Sequence, residues 1–377
     1  MRWIKSPAWD LIWVLNPLWL APLVLLLAHG HADVRASPVD GLFFALTVPL
    51  WFGHRVSSAW LAYATPAYRP LLATQRLRFI VAPLAITVAC FGLLLAPESV
   101  LPMALAERVL CFAILDYLLV SHHFAAQHFG LLSLYRARAG RISDATERRL
   151  DRWFTLVVGG GFVVVAEAMA GSIAFQERWI NPLLGAAGGP EVLGHTLRYG
   201  GIFFVVSLTA LMLRLELRSQ RPSLPRAAYI LGVSAMVFFA FLARDPFLFI
   251  VLWSVQHWSA AMGLASLAAS RGVQASSTHW QRLLEPINRR GWAVLVVLAV
   301  LSTLLLPVME VEAVSDEYAY ADRIFGDAAR WLRSSPFVPA LLALGFAAGF
   351  IHYLLDRAAF RFSSPEVRQA ARGLLQS

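Results

Sequence analysis

Between Leu115 and Gly130 the chain reads LDYLLVSHHFAAQHFG, an aspartate, three histidines and a glutamine in a run otherwise fit for lipid. Ionisable groups inside an apolar helix are costly and are functional by default, and neutral imidazole is the commonest metal ligand. On a helix turning about 100° per residue, Asp116, His123 and Gln127 fall within about 40° of one another. Tyr117 and His128 lie about 100° further round, and His122 points away from the stripe.

Ten histidines are present, of which His29, His31, His195 and His279 sit in or beside loops. The others occupy four apolar runs. His54 lies in WFGHRVSSAW with Ser58 one turn on, and His257 lies in WSVQHWSAAMG, sharing a face with Trp253 and Gln256. His352 lies in GFIHYLLDRAAFRF, spaced i, i+4 from Asp356. Counted at ~1.5 Å per residue from the outer end of each run, His54, His123, His257 and His352 share a stratum about 17 to 23 Å down. Asp356 and His128 sit about a turn deeper.

A plain reading makes each histidine an interhelical hydrogen-bonding group. Matched depth in four parallel helices favours a metal site instead, with His54, His123, His128, His257, His352 and Asp356 as ligands. Asp116, Gln127, Gln256 and Tyr353 would hold those ligands from behind. Glu167, deep in VVVAEAMAG, is one more candidate. Imidazole and carboxylate without thiolate suit non-haem iron first, then zinc or copper. Haem held by two histidines would leave the acids and glutamines unexplained.

The elements that carry these residues are membrane helices. Of 377 residues, 58% are hydrophobic and only 15% charged, against about 25% charge in a soluble domain. Apolar runs cover 8–28, 41–64, 79–97, 108–135, 153–175, 199–213, 227–243, 246–270, 291–308 and 336–360. Each is near the length that spans a bilayer. The sequence therefore predicts an all-α, polytopic bundle of about ten transmembrane helices, read as one domain over 1–377. Asp245 and Pro246 mark the start of the eighth helix.

The net charge of +9 is spread in a way that argues against nucleic acid. Arg69, Arg76 and Arg78 follow the second run, and Arg136, Arg138, Arg141, Arg148, Arg149 and Arg152 follow the fourth. Arg214, Arg218, Arg221 and Arg226 follow the sixth, and Arg271, Arg282, Arg289 and Arg290 the eighth. Arg2 and Lys5 lie before the first run, whereas the loop after the ninth is acidic, with Glu310, Glu312, Asp316, Glu317, Asp322 and Asp327. Positive-inside bias then sets both termini in the cytoplasm, in a bacterial inner membrane. The loop 309–335 would be external and could form a short amphipathic lid. Cys90 and Cys111 are far apart without a CxxC partner, which argues against a disulfide.

The fragment HHFAAQHFG (122–130) resembles the histidine-plus-HFG motif of the Brp/Blh-type membrane carotene-cleaving oxygenases. The likeness is confined to that local motif. It implies ferrous iron held by histidines and oxidative cleavage of a polyene within the membrane. The H-x-x-x-H and H-x-x-H-H boxes of membrane fatty-acid desaturases and hydroxylases are absent. The expected function is a metal-dependent oxidoreductase or oxygenase acting on a lipid or isoprenoid that enters from the bilayer. The alternative is a proton-coupled transporter with a His/Asp relay, for which broken helices and a sequence repeat are the expected signs.

Overall fold

The computed structural model describes residues 3–31, 33–141, 144–161, 185, 190–243, 246–272, 279–312, 320–362 and 364–375. Among them every regular element is a helix, with no strand. Five helices are long and apolar enough to cross a membrane, namely Leu77–Leu95, Leu105–Arg138, Tyr199–Leu217, Gly291–Met309 and Val338–Ala359. Pro7–Trp13 and Pro17–Ala28 add a sixth if taken as one span bent by 49°. That set marks a membrane protein.

The other expected runs are helical but less apolar or only partly described. The run 41–64 forms Pro38–Ala59 followed by a π turn, Trp60–Ala64. The run 246–270 forms Pro246–Arg271, and 227–243 forms Leu224–Ala243. His54, Arg55, Ser57 and Ser58 dilute the first of these, and Ser254, Gln256, His257 and Ser259 the second. Of the run 153–175, residues 153–161 fall in the helix Ala145–Leu156 and the π turn Val157–Gly161, and the rest, with Glu167, lies outside the described residues. Arg2, Asp245, the loop tip 313–319 and the side chains of His195 and Glu312 lie outside them too.

The bend near the N-terminus has a local cause. Pro17 cannot donate a backbone hydrogen bond, so the first helix ends and a new one starts with proline in its first turn. Asp10 fixes this segment by accepting from Ile4 N at 3.0 Å, Lys5 N at 3.1 Å and the Tyr135 hydroxyl at 2.9 Å.

The chain divides into two compact units, Met1–Phe43 with Ser121–His257 and Ser377, and Phe44–Val120 with Trp258–Gln376. In the first, Leu224–Ala243 packs on both Pro190–Leu217 and Pro17–Ala28. A hydroxyl bond, Thr209 Oγ1 to Ser234 Oγ at 2.6 Å, joins two of these helices. In the second, Val338–Ala359 packs on Ala82–Leu95 through Cys90, Leu94, Leu342, Phe346 and Phe350. Arg108 closes the end of that partner helix, donating to Leu93 O at 3.0 Å and Ala96 O at 2.6 Å.

The described part of the loop 309–335 includes two short helices, Tyr320–Phe325 and Asp327–Ser334. Glu310 clasps the first, Oε1 accepting from Tyr320 N at 2.7 Å and Oε2 from Ala321 N at 2.6 Å. Burial lifts its carboxyl from 4.5 to about 7, against the two backbone donors and Arg333. A carboxyl raised on folding favours the folded chain below pH 4.5, and that contribution is lost as pH rises through about 7. Thermal unfolding across this window should therefore show stability falling with pH, and Glu310→Gln should flatten the slope. Equal slopes in the two proteins would remove Glu310 as the titrating group.

Candidate functional site

Three histidines on separate helices converge. One ring nitrogen from each of His54, His257 and His352 lies within 4.8 Å of the other two, and all three residues are buried. It is the one such group of three or more found among the described residues. Its members are suited to hold a metal ion.

The second unit fixes His54 and His352 in place. Pro49 interrupts the His54 helix, and Ser302 supports it there, Oγ accepting from Phe52 N at 3.1 Å and donating to Val48 O at 2.7 Å. The hydroxyl thus inserts into one i→i−4 step of the ladder. At Gly53 an added Cβ would stand 2.9 Å from the Leu298 carbonyl oxygen. Only glycine lets these two helices approach so closely, and the residue after it is His54. The His54 ring stacks on Trp258 with centroids 5.8 Å apart and meets His352 edge-on at 4.8 Å.

Hydrogen bonds also hold Nδ1 of each ring. His54 Nδ1 donates to the carbonyl of Trp51, an atom that can only accept. Ser58 Oγ is hydrogen-bonded to His352 Nδ1 at 3.0 Å and also reaches Arg55 O at 3.4 Å. In the first unit Gln127 Nε2 donates to the backbone oxygen of His257 at 3.3 Å. That orients the amide so that its oxygen accepts from His257 Nδ1. His54 and His257 therefore carry hydrogen on Nδ1 and a lone pair on Nε2, the tautomer in which a histidine ligates through Nε2 while its other nitrogen is held from behind.

His123 Nε2 faces His257 Nε2 at 3.2 Å, with both residues buried. Two imidazole nitrogens bound to one metal at about 2.0–2.1 Å stand roughly 3.0–3.4 Å apart. The pair has that spacing. His123 touches the group through His257 but is not one of the three.

The remaining expected residues are placed differently. His128 Nδ1 is hydrogen-bonded to the Tyr229 hydroxyl at 2.5 Å, and its ring lies edge-on to Trp253 at 4.7 Å. Asp356 is buried a turn beyond His352 and is not among the three. Of the expected supporting residues, Gln127 is bonded to His257. Tyr353 instead donates to Asp116 Oδ1 at 3.0 Å, beside Gly349 and Arg55. Gln256 Nε2 donates to Val14 O at 3.4 Å. Ser58 and Ser302 are the residues the sequence undervalued. Ser58 was visible one turn from His54, but its partner is His352.

Comparison with protein-family models, curated proteins and solved structures finds no match. The site must be argued from its own geometry.

Gln127→Leu keeps the packing volume but removes both hydrogen bonds to His257. Metal affinity should fall about 10- to 100-fold, the usual effect of removing a supporting partner. Metal titration of the folded variant is the check, and unchanged affinity would show that Gln127 does not orient the ring.

Proposed function

We propose that the chain is a polytopic protein of a bacterial inner membrane, with about ten crossings and cytoplasmic termini, that holds one metal ion on His54, His123, His257 and His352. Its reaction is the oxidation of a lipophilic substrate, a lipid or isoprenoid taken from the bilayer. The observation that carries this reading is the group of three buried rings, each held through Nδ1. A proton relay would string its groups along a path. Convergence of three ring nitrogens within 4.8 Å suits one shared ion better.

Nitrogen donors without thiolate favour iron, with zinc and copper as the other candidates. Iron supplies redox chemistry at coordination positions the protein leaves open. The chain's own part is to bring neutral rings to one point in an apolar interior, where water competes poorly for the metal. The resemblance of HHFAAQHFG to the carotene-cleaving oxygenases supports oxygen chemistry on a polyene. It also places His123 within the likeness.

The experiment is oxygen uptake by the purified full chain, loaded with ferrous iron and given a polyene, an isoprenoid alcohol or an unsaturated phospholipid. Uptake with an oxidised product, lost in His352→Ala, is expected. No uptake by iron-loaded protein, or proton-coupled solute transport that requires His352, would replace this reading with the transporter.

A further inference from the structure

The helix His279–Arg289, HWQRLLEPINR, is too short to cross a bilayer. Its inner edge is fastened, since Asn288 Nδ2 donates to Ala64 O at 2.9 Å and Trp60 Nε1 donates to Asn288 Oδ1 at 2.8 Å. Gln281 is buried as well. The outer side presents Trp280 and Leu283, 61% and 57% exposed, and Trp292 just beyond, 64% exposed. An apolar and aromatic edge on a basic helix, leading directly into the membrane-long helix Gly291–Met309, is the pattern of a segment lying in the membrane interface.

A cleft of about 370 Å³ lies on the same helix, lined by Arg282, Glu285, Pro286, Arg289 and Arg290. Arg289 pairs with Glu285. Among the described residues Arg282 and Arg290 have no ion-pair partner, and both are exposed. Three guanidinium groups therefore meet one carboxylate around a concave surface. Guanidinium forks match phosphate oxygens in geometry and charge.

We propose that this cleft binds the phosphodiester head group of an anionic phospholipid, with Trp280, Leu283 and Trp292 set against its glycerol and upper acyl carbons. Charge complementarity selects the anionic head. A free phosphate would leave the three exposed apolar side chains without a role, and a zwitterionic head would bring a cation to the arginines. The Asn288 fastening ties the lipid-bound helix to the turn that ends the His54 helix. The lipid site does not depend on the metal reading.

The test is native mass spectrometry of the detergent-solubilised full chain titrated with phosphatidylglycerol or phosphatidylcholine. Wild-type protein is expected to retain phosphatidylglycerol preferentially. Arg282→Gln with Arg290→Gln should weaken retention about 30-fold, roughly five-fold per arginine near a lipid surface. Arg76→Gln with Arg78→Gln, in another basic loop, should leave it unchanged, and Trp280→Ala with Leu283→Ala should weaken it. Both Arg residues are exposed, so their loss should spare the fold, which circular dichroism checks. Unchanged retention in the Arg282/Arg290 variant would overturn the site. Equal loss in the Arg76/Arg78 variant would reduce it to diffuse charge, and displacement of the lipid by millimolar inorganic phosphate would make it a free-anion site.

Discussion

Replacing His257 by alanine is expected to lower metal affinity by more than about 100-fold, since losing a ligand should exceed the 10- to 100-fold cost of losing a supporting partner. His257 is the most connected ring of the group. Its backbone oxygen and Nδ1 are both held by Gln127, its Nε2 stands 3.2 Å from His123, and its ring packs edge-on to Phe124 at 4.3 Å. Alanine removes the ligand and also strips Gln127 of its acceptor role, a buried polar loss of roughly 1–3 kcal/mol. Two effects must therefore be separated, metal content by elemental analysis and fold by circular dichroism. His128→Ala is the matched control, because His128 is bonded to Tyr229 instead. It should keep its metal. A His257→Ala protein that is folded and fully loaded would contradict the assignment, and so would equal loss in His128→Ala.

A second large effect is expected from Asp151→Asn, a loss of about 3–5 kcal/mol of stability, the usual consequence of breaking a buried ion pair. Asp151 is fully buried, with Oδ1 2.6 Å from Arg226 Nη2 and Oδ2 bonded to Arg136. Arg226 also reaches Glu216, which Arg141 Nη1 approaches to 2.7 Å, and Arg141 in turn pairs with Glu147. The network draws on the helices Leu105–Arg138, Ala145–Leu156, Pro190–Leu217 and Leu224–Ala243 or the turns beside them. Neutralising one carboxylate leaves two guanidiniums short of charge where water cannot compensate. Asp151→Leu combined with Arg226→Met should recover part of the loss, because replacing a whole buried pair with apolar groups is far less costly than halving it. Thermal unfolding in detergent reads both. A change within about 0.5 kcal/mol for Asp151→Asn, typical of a surface substitution, would show the network to be loosely solvated.

That network also marks the limit of reading charge from the chain alone. The arginines at 136, 141 and 226 look like positive-inside anchors in the sequence, because their acidic partners, Glu147, Asp151 and Glu216, are dispersed over about 70 positions. Helix positions were far more legible. The runs 79–97, 108–135 and 336–360 reappear as Leu77–Leu95, Leu105–Arg138 and Val338–Ala359, since a bilayer-length apolar segment has few other options. The bend at Pro17 has a visible cause in a proline that cannot donate a backbone hydrogen bond, whereas the π turn at Trp60 has no such mark in the sequence. Nor was the interfacial helix at His279 legible, since its length falls below any spanning criterion.

For the site, depth was informative and direction was not. Counting residues brought His54, His123, His257 and His352 to one level; His54, His257 and His352 lie close together in the structure, and His123 meets His257. His128 and Asp356, about a turn deeper, were expected to complete the site, yet depth does not say which neighbour a side chain meets. His128 lies about 140° around the helix from His123, enough to face Tyr229. The pairing of Asp116 with Tyr353 likewise needs two helices in register, which no single run specifies.

The central claim is that these histidines share one metal. Elemental analysis of the purified, folded wild-type chain, with X-ray absorption at the metal edge, tests it most directly. The account predicts about one equivalent of iron with a shell of nitrogen neighbours near the 2.0–2.1 Å typical of imidazole ligands. A stable, monodisperse protein that carries no metal and takes up none on titration would contradict it.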